Sequence, residues 1–202
     1  MHEGHSLGTL RILSFKSYDM RWPIYQASKI LHAQGVIAYP TETVWGLGCD
    51  PFNLASLERI IQIKKRDAHK GLILVAANIE QFDFLLHDAD KADIEKLKAS
   101  WPGAVTWLVP HKNRVPHLVH GQFNTVAIRV SSHPLVQQLC TEFGGPIVST
   151  SANFSGKPTV RSAVQAQSVL GPYLDFILSG PVGLANAPSR IIDMHSGRVI
   201  RG

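Results

Sequence analysis

Short apolar runs, each stopped by proline, glycine or a polar cluster, constrain this chain most. They are "VIAYP" (36–40), "GLILVAA" (71–77), "AVTWLVP" (104–110), "TVAIRV" (125–130) and the start of "PIVSTSA" (146–152), which runs into a polar loop. They are too short for core-crossing helices and rich in β-branched residues, so they read as buried strands. Between the early ones lie stretches with apolar residues at helical spacing. "WPIYQASKILHAQ" carries Ile24, Ala27, Ile30 and Leu31 and stops at Gly35, and "LASLERIIQIKK" carries Leu57, Ile60 and Ile61 behind a capping Asn53. Asn78 caps the next helix, "IEQFDFLL", and "ADIEKLKASW" is another. In the second half, strands also follow strands directly. "HPLVQQLCTEF" and "RSAVQAQSVLG" read as helices and "DFILS" as a strand, and "SRIIDM" with "RVIRG" reads as a closing hairpin around "HSG". The pattern predicts an α/β protein with a twisted, mixed sheet and flanking helices.

No internal repeat or linker divides the 202 residues, so the expectation is a leader and first strand over 1–20 and one domain over 21–202. With 45% hydrophobic and 17% charged residues the chain is globular, and no apolar run is long enough to cross a bilayer. Cys49 and Cys140 stand far apart without a CxxC, which argues against a disulfide framework and for a reducing cytoplasm. An excess of Lys and Arg, 20 against 15 acidic residues, favours anionic partners without choosing among them.

Four features carry chemistry. "PTETVWGLG" (40–48), expected as part of a loop running to Asn53, offers hydroxyls, a carboxylate and glycines that permit close backbone approach. "KKRDAHKGL" places Lys64, Lys65, Arg66 and Lys70 together, either as a solvated helix end or as a site for a polyanion such as a triphosphate. "STSANFSG" (149–156), read as a loop after a strand, supplies uncharged donors: either a Ser/Asn-rich turn or a phosphate- or carboxylate-binding loop. Arg129 falls on a largely buried strand and needs a partner, either an internal carboxylate or a substrate carboxylate or phosphate. His2 and His5 have an H-x-x-H spacing but sit in the leader, so no metal site is expected of them; neither a Walker A motif nor a G-x-G-x-x-G or HExxH motif occurs.

In this order, "IAYPTETVWGLGCDP", the Lys64-x-Arg66 pair, "WPGAVTWLVP", "TVAIRVSSHPLV" and "STSANFSGKP" with its Ser151-x-Asn153 pair resemble the YrdC family of L-threonylcarbamoyladenylate synthases. The resemblance runs from about Gln26 to the C-terminus. Trp45 stands where tyrosine is common, and Val75 where some members place a histidine. It implies a YrdC-like fold with a positively charged concave face. The implied enzyme is a cytoplasmic nucleotidyltransferase of tRNA modification, joining L-threonine, bicarbonate and ATP with Mg2+ and releasing pyrophosphate. A downstream transferase complex would then carry the group to tRNA. Lys64 and Arg66 would be catalytic. Arg66, Lys70, Thr125, Ser151, Asn153, Thr159 and Arg201 would bind ATP, and Thr43, Arg129, Ser149 and Ser189 would bind threonine. If the basic stretch faces a triphosphate, Lys65 is expected to face solvent, since it lies between Lys64 and Arg66 and neighbours at a helix end point in different directions. Two rivals remain: an RNA-binding module without catalysis, and a carbamoyl-AMP-forming enzyme, whose usual zinc-finger and acylphosphatase parts this sequence lacks. Direct affinity for tRNA or other RNA is left open.

Overall fold

A computed structural model of the chain describes residues 20–185 and 187–201. The expected leader and first strand lie, but for Met20, outside the described residues. Among the described residues, nine strands form one sheet. In chain order they are β1 (Ile37–Pro40), β2 (Trp45–Gly48), β3 (Ile73–Ala76), β4 (Val105–Pro110), β5 (Thr125–Val130), β6 (Ile147–Ser151), β7 (Phe176–Ile177), β8 (Arg190–Asp193) and β9 (Val199–Arg201). Their spatial order is β7-β1-β2-β6-β3-β5-β4-β8-β9. β3 runs parallel to β5 and antiparallel to β6, so the sheet is mixed, as the alternating and then consecutive strand signals predict. β8 and β9 form the expected antiparallel hairpin.

Two sequence expectations need correction. Trp45–Gly48 is a strand and not loop, because the chain turns back at 41–44 and pairs Ile37 with Gly48 and Pro40 with Trp45. Ser149–Ser151 likewise belongs to β6, where Thr150 pairs with Leu47 and Ser149 with Ile73. Loop-like composition hid both: two glycines weaken the strand signal of the first, and in the second a hydroxyl-bearing residue satisfies a ladder as well as an apolar one does when its side chain faces a cleft.

The helices are α1 (Arg21–His32), α2 (Leu54–Lys64), α3 (Asp83–Leu86), α4 (Lys91–Ser100), α5 (His117–His120), α6 (Pro134–Phe143) and α7 (Ala163–Leu170). Asn53 caps α2 by accepting from the Ser56 N–H, and Asn78 accepts from the Gln81 N–H at a short 3-10 turn that precedes α3. None of the described helices is long and apolar enough to cross a membrane.

Strand alternation splits the core into two layers. Ile37, Tyr39, Val75 and Ile147 face α1 and α6, where Ile24, Leu31, Leu135 and Leu139 are buried. Ala38, Leu47, Leu74 and Val148 face the opposite layer with Leu57 and Ile60 of α2. On β5, Thr125, Ala127 and Arg129 are half-buried while Val126, Ile128 and Val130 are buried. That alternation aims a row of polar side chains away from the larger core.

Candidate active site

Two adjoining cavities open on this polar face. The first, of about 410 Å³, is walled by Thr41, Thr43, Gly46, Val75, Arg129, Ser149, Ser151, Thr159, Ser189 and their neighbours. The second, of about 300 Å³, is walled by Leu108, Val119, His120, Phe123, Thr125, Ala127, Ile191, Ile200 and Lys70. Arg66, Leu72, Ile73 and Arg201 belong to both walls, so the two spaces meet between a pair of arginines.

The first cavity is built by register. β2 and β6 set Gly46 opposite Ser151, β3 and β6 set Ile73 opposite Ser149, and β3 and β5 set Val75 opposite Arg129. Segments far apart in sequence thus deliver hydroxyls and a guanidinium to one patch of sheet. Residues 181–185 and 187–189 lie beside it, where Gly183 N–H donates to Thr41 O at 2.9 Å and Thr43 Oγ1 to Ala187 O at 3.2 Å. Ser189 is buried, its Oγ 2.8 Å from Thr106 Oγ1, and Arg201 Nη2 donates to its carbonyl at 3.0 Å.

Arg129 finds the internal carboxylate. Its Nη2 lies 2.9 Å from Glu42 Oε2, and the two side chains are only 11% and 8% exposed. Glu42 Oε1 also accepts from Ser131 Oγ at 2.7 Å and from Ser132 N–H at 3.1 Å. Burial works to raise the Glu42 pKa, but Arg129 and these donors outweigh it and hold the carboxyl below its ordinary value. Arg129 Nε remains buried without a hydrogen-bond partner, and so does Arg66 Nε. A buried, unpartnered donor costs about 1–3 kcal/mol, so each points to an acceptor from a ligand. The internal partner and the ligand role are therefore not exclusive: Glu42 fixes one edge of Arg129 while the side chain still walls the cavity.

The basic stretch is split by its backbone. Lys65 caps α2 in the left-handed conformation, φ 46°, which sends Lys64 and Arg66 inward and leaves Lys65 exposed. Lys64 is buried beneath the 151–153 turn, donating from Nζ to Asn153 Oδ1 at 2.8 Å, to Asn153 O at 3.2 Å and to Ser151 Oγ at 3.3 Å. Burial, reinforced by Arg66, pushes its pKa down to about 8. Arg66 is half-buried and donates to Gly71 O at 3.1 Å; burial also lowers its pKa, though Asp67 opposes the shift. Lys70 is exposed at the mouth of the second cavity.

Of the residues singled out from sequence, Thr43, Arg66, Arg129, Ser149, Ser151, Thr159, Ser189 and Arg201 wall the first cavity. Lys70 and Thr125 wall the second, and Lys64 and Asn153 lie on neither wall. Lys64 instead holds the Ser151–Asn153 turn in place. The partnership of Glu42 with Arg129, and of Thr106 with Ser189, escaped sequence reading. Glu42 is the one carboxylate in "PTETVWGLG", a usable signal; Thr106 sits in an ordinary strand and gives none.

A comparison with family models matches residues 29–202 to Sua5_yciO_yrdC, described as "Telomere recombination". The chain belongs to this family. It is 53% identical over 176 residues to the threonylcarbamoyl-AMP synthase of Saccharophagus degradans, covering 87% of this chain and 92% of that one. It is 48% identical over 180 residues to that of Pseudomonas fluorescens, covering 89% and 97%. Among solved structures, P. abyssi Sua5 complexed with L-threonine superposes with a TM-score of 0.79 at 31% identity, over 85% of this chain but only 51% of that one. E. coli YciO superposes with a TM-score of 0.77 at 27% identity, covering 90% and 89%.

Proposed function

We propose that the protein is a threonylcarbamoyl-AMP synthase, a nucleotidyltransferase that joins L-threonine, bicarbonate and ATP and releases pyrophosphate. The observation that carries this reading is the pair of guanidinium groups, Arg129 and Arg66, each with a buried, unpartnered Nε, on the wall of one hydroxyl-lined cavity. They suit the two anions the reaction must bring together, an amino-acid carboxylate and a polyphosphate. Relatives with the same printed activity and a family structure holding L-threonine support it.

Threonine is held by Arg129 through its carboxylate, with Thr43, Ser149 and Ser189 as hydroxyl partners. Its amine adds to bicarbonate, losing water, to give a carbamate. A carbamate oxygen then attacks the α-phosphorus of ATP while the bond to the β,γ-pyrophosphate breaks, yielding threonylcarbamoyl-AMP. The carbamate is already a nucleophile, so the protein's work is alignment and charge neutralisation. Arg66, with Arg201 between the cavities, meets the phosphates; Ser151 and Thr159 complete that face, and Asn153, off both walls, braces the turn with Lys64. Lys70 and Thr125 lie along the second cavity, whose apolar walls fit the nucleoside. Lys64 acts by fixing the Ser151–Asn153 turn.

A protein-held magnesium ion does not fit this donor set. Glu42 is committed to Arg129, Ser131 and Ser132, and no group of three or more His, Cys, Asp or Glu able to hold a metal occurs among the described residues. Magnesium enters as part of the ATP substrate. The product would pass to a cytoplasmic transferase complex that modifies tRNA. The deciding test is pyrophosphate release from ATP, expected only with both L-threonine and bicarbonate. Equal release without threonine would overturn the reading, and salt-sensitive RNA affinity with no turnover would favour a binding module instead.

A further inference from the structure

Strand β2 carries two glycines on the same face, and they are not equivalent. A Cβ built on Gly48 would lie 2.8 Å from the Tyr39 ring and 3.0 Å from Val148 O, both in the packed core. Gly48 is bare because the core leaves no room. A Cβ on Gly46 would lie 3.3 Å from Thr41 Cγ2, 3.5 Å from Ser149 Oγ and 3.5 Å from Thr150 O. One of those distances is tight and two are ordinary contacts, so packing alone does not forbid a methyl there. All three neighbours wall the first cavity, and Gly46 walls it with them. Trp45 and Leu47, on either side, point into the opposite core layer.

We propose that Gly46 is a specificity-determining position: its missing side chain makes the room between Thr41 and Ser149 that receives the side chain of the amino-acid substrate. The inference rests on the threonine-dependent reading above. A methyl at position 46 takes from the cavity about the volume by which threonine exceeds serine. Gly46→Ala therefore discriminates against the larger amino acid. Removing one methyl's worth of space in a snug pocket changes discrimination by roughly tenfold or more. A strained β2 would instead depress both amino acids and ATP together.

The experiment measures pyrophosphate release with threonine and with serine for the wild type and for Gly46→Ala, with thermal stability and the ATP KM alongside. The expected result is a threonine KM raised by roughly tenfold, a serine KM raised far less, and an ATP KM within about twofold. Should Gly46→Ala fail to fold, Thr41→Ser with Gly46→Ala removes the one tight contact, Thr41 Cγ2, and keeps the hydroxyl. The same shift toward serine is expected of that pair, measured against Thr41→Ser alone. An unchanged threonine-to-serine preference in a folded, active variant overturns the proposal. A wild type without threonine-dependent turnover overturns the functional reading itself, a result visible before any variant is made.

Discussion

The two cavities share a wall and differ in almost everything else. The first is lined by hydroxyls and carries a buried ion pair, Arg129 with Glu42. The second is walled largely by Leu108, Val119, Phe123, Ile191 and Ile200, with cations only at its edge. Polar walls hold a small charged molecule by directed hydrogen bonds, whereas apolar walls accept a flat, weakly polar body by excluding water. Arg66 and Arg201 stand where the two meet, the place for a phosphate joined to a nucleoside on one side and attacked from the other. The difference teaches that one sheet face can serve two chemistries when strand alternation and register change what is presented along it.

The largest effect should come from breaking the ion pair beneath the first cavity. Glu42→Gln leaves Arg129 buried without its counter-charge, and a stability loss of about 3–5 kcal/mol is expected near neutral pH. The sign follows from the depressed carboxyl: Glu42 adds stability above its ordinary value of 4.5 and loses that contribution as pH falls through its lower folded value. The gap between wild type and variant in urea unfolding should therefore narrow well below pH 4.5. A gap that widens on acidification would show that the pair is not what stabilises this site.

Substituting the arginine tests the ligand side of the same pair. Arg129→Lys keeps the charge but loses the planar fork, so the threonine KM should rise by more than roughly tenfold with little change for ATP. An equal effect on both substrates would merge the two cavities into one functional unit and defeat the comparison.

Arg66 belongs to both walls, and Arg66→Ala should weaken ATP binding by about 1.5–3 kcal/mol, read by calorimetric titration at fixed salt and magnesium. Lys70 is exposed at the mouth of the second cavity, so Lys70→Ala should cost only a few-fold. Lys65→Ala should change ATP affinity by less than about twofold. Three equal losses would mean a diffuse cationic surface in place of a wall with one inward-facing arginine.

Lys64 and Lys65 show where sequence reading reaches its end. Their adjacency to Arg66 was plain in the sequence, as was the inference that neighbours at a helix end face different ways. The capping asparagines, the apolar stripes and the strands of β-branched residues were legible for the same reason: short-range geometry and hydrophobic periodicity fix them. The order of the motifs was enough to point to the family.

Tertiary structure decided the rest, because it depends on which distant strands pair and in what register. The sequence could not show that Trp45–Gly48 and Ser149–Ser151 are ladder strands, since two glycines in the first and three hydroxyls in the second read as loop until distant partners pair with them. Nor could it show that Lys64 serves a turn that begins at Ser151, 87 residues away, or that Glu42 reaches the same distance to Arg129. Local propensity determined the pieces of this protein. Long-range pairing determined its site, because a one-residue change of register would turn every hydroxyl and guanidinium of that face into the opposite core.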